Sequence, residues 1–281
     1  MKNLLFALLV IAPLTASAQT IGGGELPPIE PIKKTVFDSA QVKVYYDYAY
    51  RRDPENMEKW KRGQAVLLIG SRYTGCADYF QMKLDSLNDA YYAEKRSPMD
   101  LFGKGMTLLR NANYKYPLVV DNTKNVARVQ IDGFTSLEYK QKLQPLAWTL
   151  AEGDSVIAGV HCKKATCRMG GRDWTAWYSE EYNLPFGPYL FRGLPGLIFA
   201  VSDTGNNYVF TLNGLETLTK PEAIYLNAND RFLKVSRKDA LKADRNAAAD
   251  PLGAMNMGGV SITVPEGTDI PKQPYNPIEL E

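Results

Sequence analysis

The side chains with the most reactive chemistry are one histidine and three cysteines. His161 and Cys162 are adjacent, Cys167 follows five residues later, and Cys76 lies far upstream. A cysteine nucleophile needs its base within hydrogen-bonding distance, but neighbouring residues of a strand point to opposite faces. His161 and Cys162 therefore form no catalytic pair if this stretch is extended. The four side chains have the atom types that bind zinc or copper, but no C-x-x-C spacing is present, so we predict no metal site.

The pairing of the three cysteines is open. On one extended strand, Cys162 and Cys167 would lie about 17 Å apart and on opposite faces. A disulfide needs Cα atoms within about 7 Å, so these two cannot bond in that geometry. Either a turn folds between them, or Cys76 pairs with one of them, or all three stay reduced.

Acidic side chains give no clear catalytic arrangement. Glu180-Glu181 and the C-terminal Glu279 and Glu281 are neighbouring acids that are typical of a solvated surface, whereas a glycosidase needs two acids placed by the fold. No nucleophile elbow, phosphate loop or dinucleotide fingerprint occurs. We therefore predict no catalytic residue and no cofactor, and we favour a binding protein over an enzyme.

An aromatic stretch with two flanking arginines is the candidate binding site. Tryptophan and tyrosine suit a pocket wall because each joins a large apolar body to one polar group, and an arginine can hold a carboxylate or phosphate. The alternative is that the aromatic side chains pack beneath a long loop and that the arginines bond loop carbonyls. The candidate residues are Arg172, Trp174, Trp177, Tyr178, Phe186, Tyr189 and Arg192.

The hexapeptide at the centre of this stretch, residues 193–198, contains no nucleophile, acid, base or metal ligand. Its glycines permit a positive φ or a close backbone approach, and the proline between them fixes φ. Its three apolar side chains are expected to enter the core. We predict a structural role, in which the hexapeptide holds the loop after Ser179 on the sheet. Its residues are Gly193, Leu194, Pro195, Gly196, Leu197 and Ile198.

The elements that position these residues are predicted to be mostly strands. Apolar residues spaced by four, three and four predict a helix over 77–95, and 236–249 has the composition of a solvent-facing helix with Ser236 as its N-cap. A loop is expected through 102–105, and Gly170-Gly171 predicts a type I′ hairpin turn. Apolar patterning predicts strands at 42–50, 64–73, 114–120, 125–131, 135–142, 148–150, 155–165, 172–179, 196–201 and 208–212, with edge strands at 221–227 and 231–235.

The N-terminus has the features of a secretory signal peptide. Lys2 precedes an apolar run at 4–14, and Ala16-Ser17-Ala18 forms a cleavage site. The run is shorter than the about 20 residues that span a bilayer, so we expect cleavage after Ala18 and a periplasmic or secreted protein without a transmembrane segment. Removal of Lys2 leaves 32 of the 33 basic side chains against 31 acidic ones. Such a balance, without a basic cluster, argues against nucleic-acid binding.

The residues around the hexapeptide, together with the last residues of the chain, resemble the signature of the GLPGLI family. The resemblance covers the chain from about Val42 to its end, and it implies an exported protein of Gram-negative bacteria with no established activity and no catalytic residues to carry over. The matching residues are Cys162-Lys163-Lys164-Ala165-Thr166, Gly171-Arg172, Ala176-Trp177-Tyr178, Leu184-Pro185, Gly187-Pro188, Phe191-Arg192, the hexapeptide and the closing Tyr275-Asn276-Pro277-Ile278-Glu279-Leu280.

The fold expected is mainly β, with a single large curved antiparallel sheet, a half-barrel-like meander, and one or two covering helices. Its strand order is similar to that of periplasmic lipoprotein carriers. The expected divisions are a signal peptide at 1–18, a flexible segment at 19–40, the β domain at 41–249 and an extended C-terminal tail at 250–281. We expect a binding or accessory protein that uses a concave β surface, with a small apolar or lipid-like ligand or an envelope protein as partner. The alternatives are an envelope enzyme with dispersed site residues near Arg172 and Trp177, or a protein–protein scaffold that binds through an exposed sheet edge.

Overall fold

The structure, a computed structural model, describes residues 27–56, 58–133, 135–257 and 272–281. The predicted signal peptide lies outside these residues. The described chain is mainly β, as predicted. Its elements are β1 (Lys34–Arg51), β2 (Trp60–Gly70), β3 (Tyr73–Asp78), α1 (Tyr79–Ala93), α2 (Pro98–Asn111), β4 (Leu118–Asp121), β5 (Val126–Ile131), β6 (Leu137–Lys142), β7 (Thr149–Ile157), β8 (Val160–Met169), β9 (Arg172–Ser179), β10 (Leu197–Asp203), β11 (Tyr208–Asn227), β12 (Leu233–Lys234), α3 (Arg237–Ala249) and α4 (Pro251–Met257).

All twelve strands belong to one sheet, in the order β12-β6-β5-β4-β3-β2-β1-β11-β10-β9-β8-β7. Two meanders, β1 to β6 and β7 to β11, are joined by the long antiparallel pairing of β1 with β11. Only the short pairing of β12 with β6 is parallel. The single large, essentially antiparallel sheet is therefore confirmed.

The sheet curves around residues 180–196, which we call the aromatic loop. The amide of Tyr189 in this loop donates to Cys76 Sγ on β3 at 3.4 Å, while Phe191 packs edge to face on Trp174 of β9, with ring centroids 4.7 Å apart. In a flat sheet, β3 and β9 would be separated by five spacings of about 4.8 Å each, or about 24 Å. The rings of Tyr189 and Phe191 are only 6.4 Å apart. The two halves of the sheet therefore face each other across the loop.

Apolar clusters cover both faces of the sheet. The larger one fills the inner face and includes the aromatic loop. The smaller one lies on the outer face, where Met82 of α1 packs against Leu68 and Ile224 with their neighbours. The start of α1 is fixed by Asp78, whose carboxylate accepts backbone hydrogen bonds from Phe80 and from three further residues. One helix thus covers the outer face, while the loop covers the inner one.

Three local predictions are wrong. Residues 102–105 lie within α2, which begins after the N-cap Ser97 with Pro98 in its first turn. The strand predicted over 155–165 is two strands, because Ala158 and Gly159 turn the chain with positive φ of 50° and 80°. The strand predicted at the edge over 221–227 is the end of β11 and pairs with β1.

The predicted boundaries of the β domain also differ from the observed ones. β1 begins at Lys34, so residues 34–40, assigned to the flexible segment, belong to the sheet. The tail assigned to 250–281 begins with α4, and its last residues pack on the domain, with Ile278 and Glu279 buried. The helix over 236–249 is confirmed, with Ser236 accepting a hydrogen bond from the backbone of Asp239. Among the described residues, no helix has the length and apolar character needed to cross a membrane.

Candidate functional site: the cleft beneath the aromatic loop

The hexapeptide joins the aromatic loop to β10. Its apolar residues Leu194, Leu197 and Ile198 are at most 2% exposed. Gly193 has a positive φ of 91°, which favours glycine. Gly196 is required for a different reason: an added Cβ would lie 2.6 Å from the carbonyl carbon of Ser179 and closer still to its oxygen. The hexapeptide therefore brings the two ends of the loop into direct backbone contact.

The aromatic residues of β9 divide between the two faces of the sheet. Trp174 and Tyr178 point inward and are at most 1% exposed. Trp177 points outward, where its ring lies 3.5 Å from the position of a Cβ on Gly153 and 5.9 Å from the Lys164 ammonium. The strand alternation of the sequence already implies this separation. These three side chains do not form one pocket.

Arg172 has its hydrogen-bonding groups occupied within the protein. Its guanidinium forms a buried ion pair with Asp203 at 3.2 Å. It also donates to the side-chain oxygen of Asn276 at 2.5 Å and to the carbonyl of Pro277 at 2.6 Å. A predicted ligand-binding arginine thus holds the chain's own C-terminal residues.

Phe186, Tyr189 and Arg192, the other three candidates, do lie together. They line a small cleft of about 10 Å³ between the aromatic loop and strands β2 to β4. The remaining lining is mostly apolar, with Thr74 as the one hydroxyl from the strands. It consists of Leu67, Thr74, Val120, Gly187, Leu190 and Phe191.

Arg192 is the polar group of this cleft with spare bonding capacity. Its Nη2 donates to Asn122 Oδ1 at 3.1 Å. Its Nη1 is buried and has no hydrogen-bond partner within the described parts of the chain. Loss of solvent lowers the pKa of Arg192 from its usual value. An arginine stays charged in proteins, so the cleft presents an incompletely satisfied cation.

Tyr189 lines the same cleft in a strained conformation. Its φ of 55° is unusual for a bulky side chain. Three contacts hold it there: its amide donates to Cys76 Sγ at 3.4 Å, its hydroxyl donates to Glu279 at 2.5 Å, and its ring packs on Tyr116. Such strain costs on the order of 1–3 kcal/mol and is frequent at ligand-binding sites.

Glu279 is a site residue that sequence reasoning missed. Its carboxylate is 5% exposed and also accepts hydrogen bonds from Arg237 at the start of α3. The resemblance of residues 275–280 to a family ending was the one sequence signal that pointed to it. Its partners lie at least 42 residues away, so no local pattern could pair them.

The cysteines and the histidine form no reactive group. All three thiols are free and buried, and Cys162 and Cys167 lie on the same strand, β8, and both belong to the larger apolar cluster. Burial raises the pKa of Cys76 and Cys162 to about 11 and that of Cys167 to about 12, so they stay protonated near neutral pH. The exposed His161 borders a surface depression of about 230 Å³. No cluster suited to a metal ion occurs in the described part of the chain.

Comparisons with known proteins give no family. No protein-family model and no curated protein matches the chain. Two structures of PNGF-II, one in space group P21 and one in C2, are similar with TM-scores of 0.44, at 11% and 12% identity. The matched regions cover 73% and 74% of this chain but only 33% and 34% of those chains, so this chain spans about a third of their length. A similarity this distant extends no function from PNGF-II to this chain.

Proposed function

We propose that this chain is an exported cell-envelope binding protein of GLPGLI type, and that it holds its ligand at the Arg192 cleft. The supporting observation is the partly desolvated guanidinium whose Nη1 lacks a hydrogen-bond partner among the described residues. A buried N–H group without a hydrogen-bond partner is costly, and a carboxylate or phosphate is the geometric complement of a guanidinium. The expected ligand therefore has an anionic head group.

The size and lining of the cleft define the rest of the ligand. At about 10 Å³, it has room for about one water-sized group and is far smaller than the about 300–1,000 Å³ of typical small-molecule sites, so only one oxygen of the head group enters. The apolar side chains at its edge, such as Phe186, favour a hydrocarbon body outside the head group. Fatty acids and anionic lipids have this combination. Export delivers the protein to the compartment where such molecules are exposed.

Native mass spectrometry of the protein purified from its own cell envelope tests the proposal. We expect an intact mass for a chain that starts at Gln19, together with a bound carboxylate- or phosphate-bearing lipid. Arg192→Gln should lose this ligand, whereas Arg168→Gln, which removes an exposed arginine on β8, should retain it. Retention by Arg192→Gln at the wild-type level would overturn the site.

A titration tests the same point without a natural ligand. The indole of Trp148 donates to the Arg192 carbonyl at 2.8 Å, so its fluorescence reports on the cleft. Dodecyl phosphate and dodecanoate should change this signal at lower concentrations than dodecanol does. Equal responses to the anionic and neutral probes would contradict a role for the guanidinium.

The two alternatives differ in their support. For an enzyme near Arg172 and Trp177, the two side chains lie on opposite faces of β9, which gives no assembled reactive group there. A scaffold role is favoured by β7, an edge strand on which Leu150 is 66% and Val156 is 60% exposed. An exposed edge can pair with a strand of a partner. Val156→Lys should then release an envelope protein that co-purifies with the wild type, and a partner that remains bound excludes this edge.

A further inference from the structure

The last ten residues of the chain, 272–281, lie in a groove formed by the β8–β9 hairpin, the start of β11 and the start of α3. We call them the C-terminal peptide. They contain no helix or strand, yet Pro277, Ile278 and Glu279 are buried. Ile278 is 1% exposed and belongs to the inner core. The groove therefore surrounds an extended peptide on several sides.

Groups of the groove recognise the Asn-Pro pair. Arg172 bonds the side chain of Asn276 and the carbonyl of Pro277, and the Tyr208 hydroxyl donates to the Asn276 carbonyl at 2.5 Å. The Asn276 amide nitrogen donates across the groove to the carbonyl of Arg51 at 2.6 Å and to the side chain of Asn207 at 3.1 Å. Because both the oxygen and the nitrogen of this amide are used, the site discriminates asparagine from aspartate and leucine.

A second set of groups recognises Glu279 and the backbone beyond it. The carboxylate accepts from the Tyr189 hydroxyl and from Arg237. The amide of Leu280 donates to the Gly170 carbonyl at 2.7 Å. An added Cβ on Gly170 would come within 2.6 Å of Glu279 Cγ. Because Gly170 has no side chain, the peptide can pack directly against the hairpin.

The Arg172 side of the groove is organised independently of the peptide. Asp203 holds Arg172 and also accepts hydrogen bonds from the backbone amides of Asn207 and Tyr208 at 2.6 and 2.7 Å. The Arg172 guanidinium lies 5.2 Å from the centre of the Tyr208 ring. None of these contacts involves the peptide, so they support a preorganised groove of the kind that peptide-recognition sites use.

We propose that this groove is a recognition site for extended peptides of the type Asn-Pro-apolar-Glu, and that the chain's own C-terminal peptide occupies it in cis. Every contact above uses groups that a free peptide also has, namely backbone amides and carbonyls, an amide side chain and a carboxylate. A tethered peptide has an effective concentration on the order of millimolar. A peptide in trans therefore competes when the cis peptide is weakened or when the trans peptide is more concentrated.

Full-length variants with a weakened cis peptide test the proposal. In Asn276→Ala or Glu279→Gln, all groove residues remain wild type. The probe is a fluorescein-labelled peptide Tyr-Asn-Pro-Ile-Glu-Leu-Glu, and the control is the same peptide with alanine for asparagine and glutamine for glutamate. Fluorescence anisotropy should show that the probe binds a folded variant at least about tenfold more tightly than it binds the wild type, since hydrogen bonds to charged groups are lost from the cis peptide. The control peptide should bind more weakly than the probe.

The wild-type chain provides a second test that does not depend on the folding of a variant. Excess unlabelled probe should displace the cis peptide and accelerate hydrogen exchange at the Leu280 amide, whereas the control peptide should not. Two outcomes overturn the proposal: a folded variant that binds probe and control equally, or a Leu280 exchange rate unchanged by probe at ten times the effective concentration. Binding of the ligand at Arg192 is measured in a separate experiment. A negative result for the peptide groove therefore does not contradict the proposed lipid site.

Discussion

Gly196→Ala is expected to be among the most damaging single-methyl additions to this protein. The new Cβ would meet the backbone of Ser179 at 2.6 Å or less and the Cα of Glu180 at 3.0 Å. Backbone atoms cannot rotate away as a side chain does. The two ends of the aromatic loop must therefore separate by about 1 Å before the contact becomes ordinary.

The size of the effect follows from what this separation breaks. Overpacking costs about 1–3 kcal/mol, and the separation also weakens the pairing of Leu197 with Ser179, at about 1 kcal/mol for a hydrogen bond. The sum is about 2–4 kcal/mol. For a chain of this size, each kcal/mol lowers Tm by about 2–4 °C. We therefore expect a decrease of roughly 5–15 °C.

Alanine variants at two other glycines serve as controls that distinguish this steric effect from backbone strain. Gly193→Ala places a Cβ in open space but at a φ of 91°, so it should cost only about 1–2 kcal/mol. Gly103→Ala adds a Cβ that meets nothing within 4 Å in α2, and it should stabilise the helix by about 0.5–1 kcal/mol. Thermal and urea unfolding of the three variants give the ranking. A Tm for Gly196→Ala equal to that of the wild type or above that of Gly193→Ala would refute the close-approach argument.

Three further predictions concern charge, thiols and a helix end. Burial raises the pKa of Asp85 in the folded state, so its contribution to stability is largest below its ordinary pKa of 3.8 and is lost as the pH rises through the raised value. The stability of the wild type relative to Asp85→Asn should therefore increase between pH 7 and pH 4 in urea titrations, and a constant difference would contradict it. Cys76, Cys162 and Cys167 should react with a thiol reagent at pH 8 only after denaturation, and reducing agent should leave the intact mass and Tm unchanged. A mass increase of a reduced sample would reveal a disulfide. Ser236→Ala should destabilise the protein by about 1 kcal/mol through loss of the α3 N-cap, and an unchanged urea midpoint would exclude that role.

Most strands were predictable from sequence because alternation of apolar residues is a local signal, but β3 was not predicted and the strand predicted over 114–120 begins only at Leu118. The helix α2 was not predictable, since Gly103 and Gly105 interrupt its apolar pattern, although Ser97 caps it and Pro98 lies in its first turn. The pairing of β1 with β11, which joins the two meanders, was also not predictable from the sequence. Val42 pairs with Thr217, and no sequence pattern specifies a partner at that distance along the chain.

The site was predictable only in part, for a related reason. Arg192, Tyr189 and Phe186 are close in sequence, so the local pattern of aromatic residues with a flanking arginine predicts residues that line the cleft. Alternation along β9 separates Trp177 from Trp174. The unsatisfied nitrogen of Arg192 depends on which groups the fold brings to it, and this is not encoded in any short stretch.

The aromatic loop and the C-terminal peptide meet at one hydrogen bond, between Tyr189 and Glu279, and this contact links the two proposed sites. The curved sheet has an inner apolar face, and these two segments cover part of it from water. Tyr189 lines the cleft in a strained conformation that its neighbours must maintain. A peptide that supplies the Glu279 carboxylate stabilises this conformation, whether it comes from the same chain or in trans. Coupling between two binding sites is reciprocal. If the bound peptide raises the affinity of the cleft for a head group through the position of Tyr189, the bound head group must raise the affinity of the groove for the peptide by the same factor.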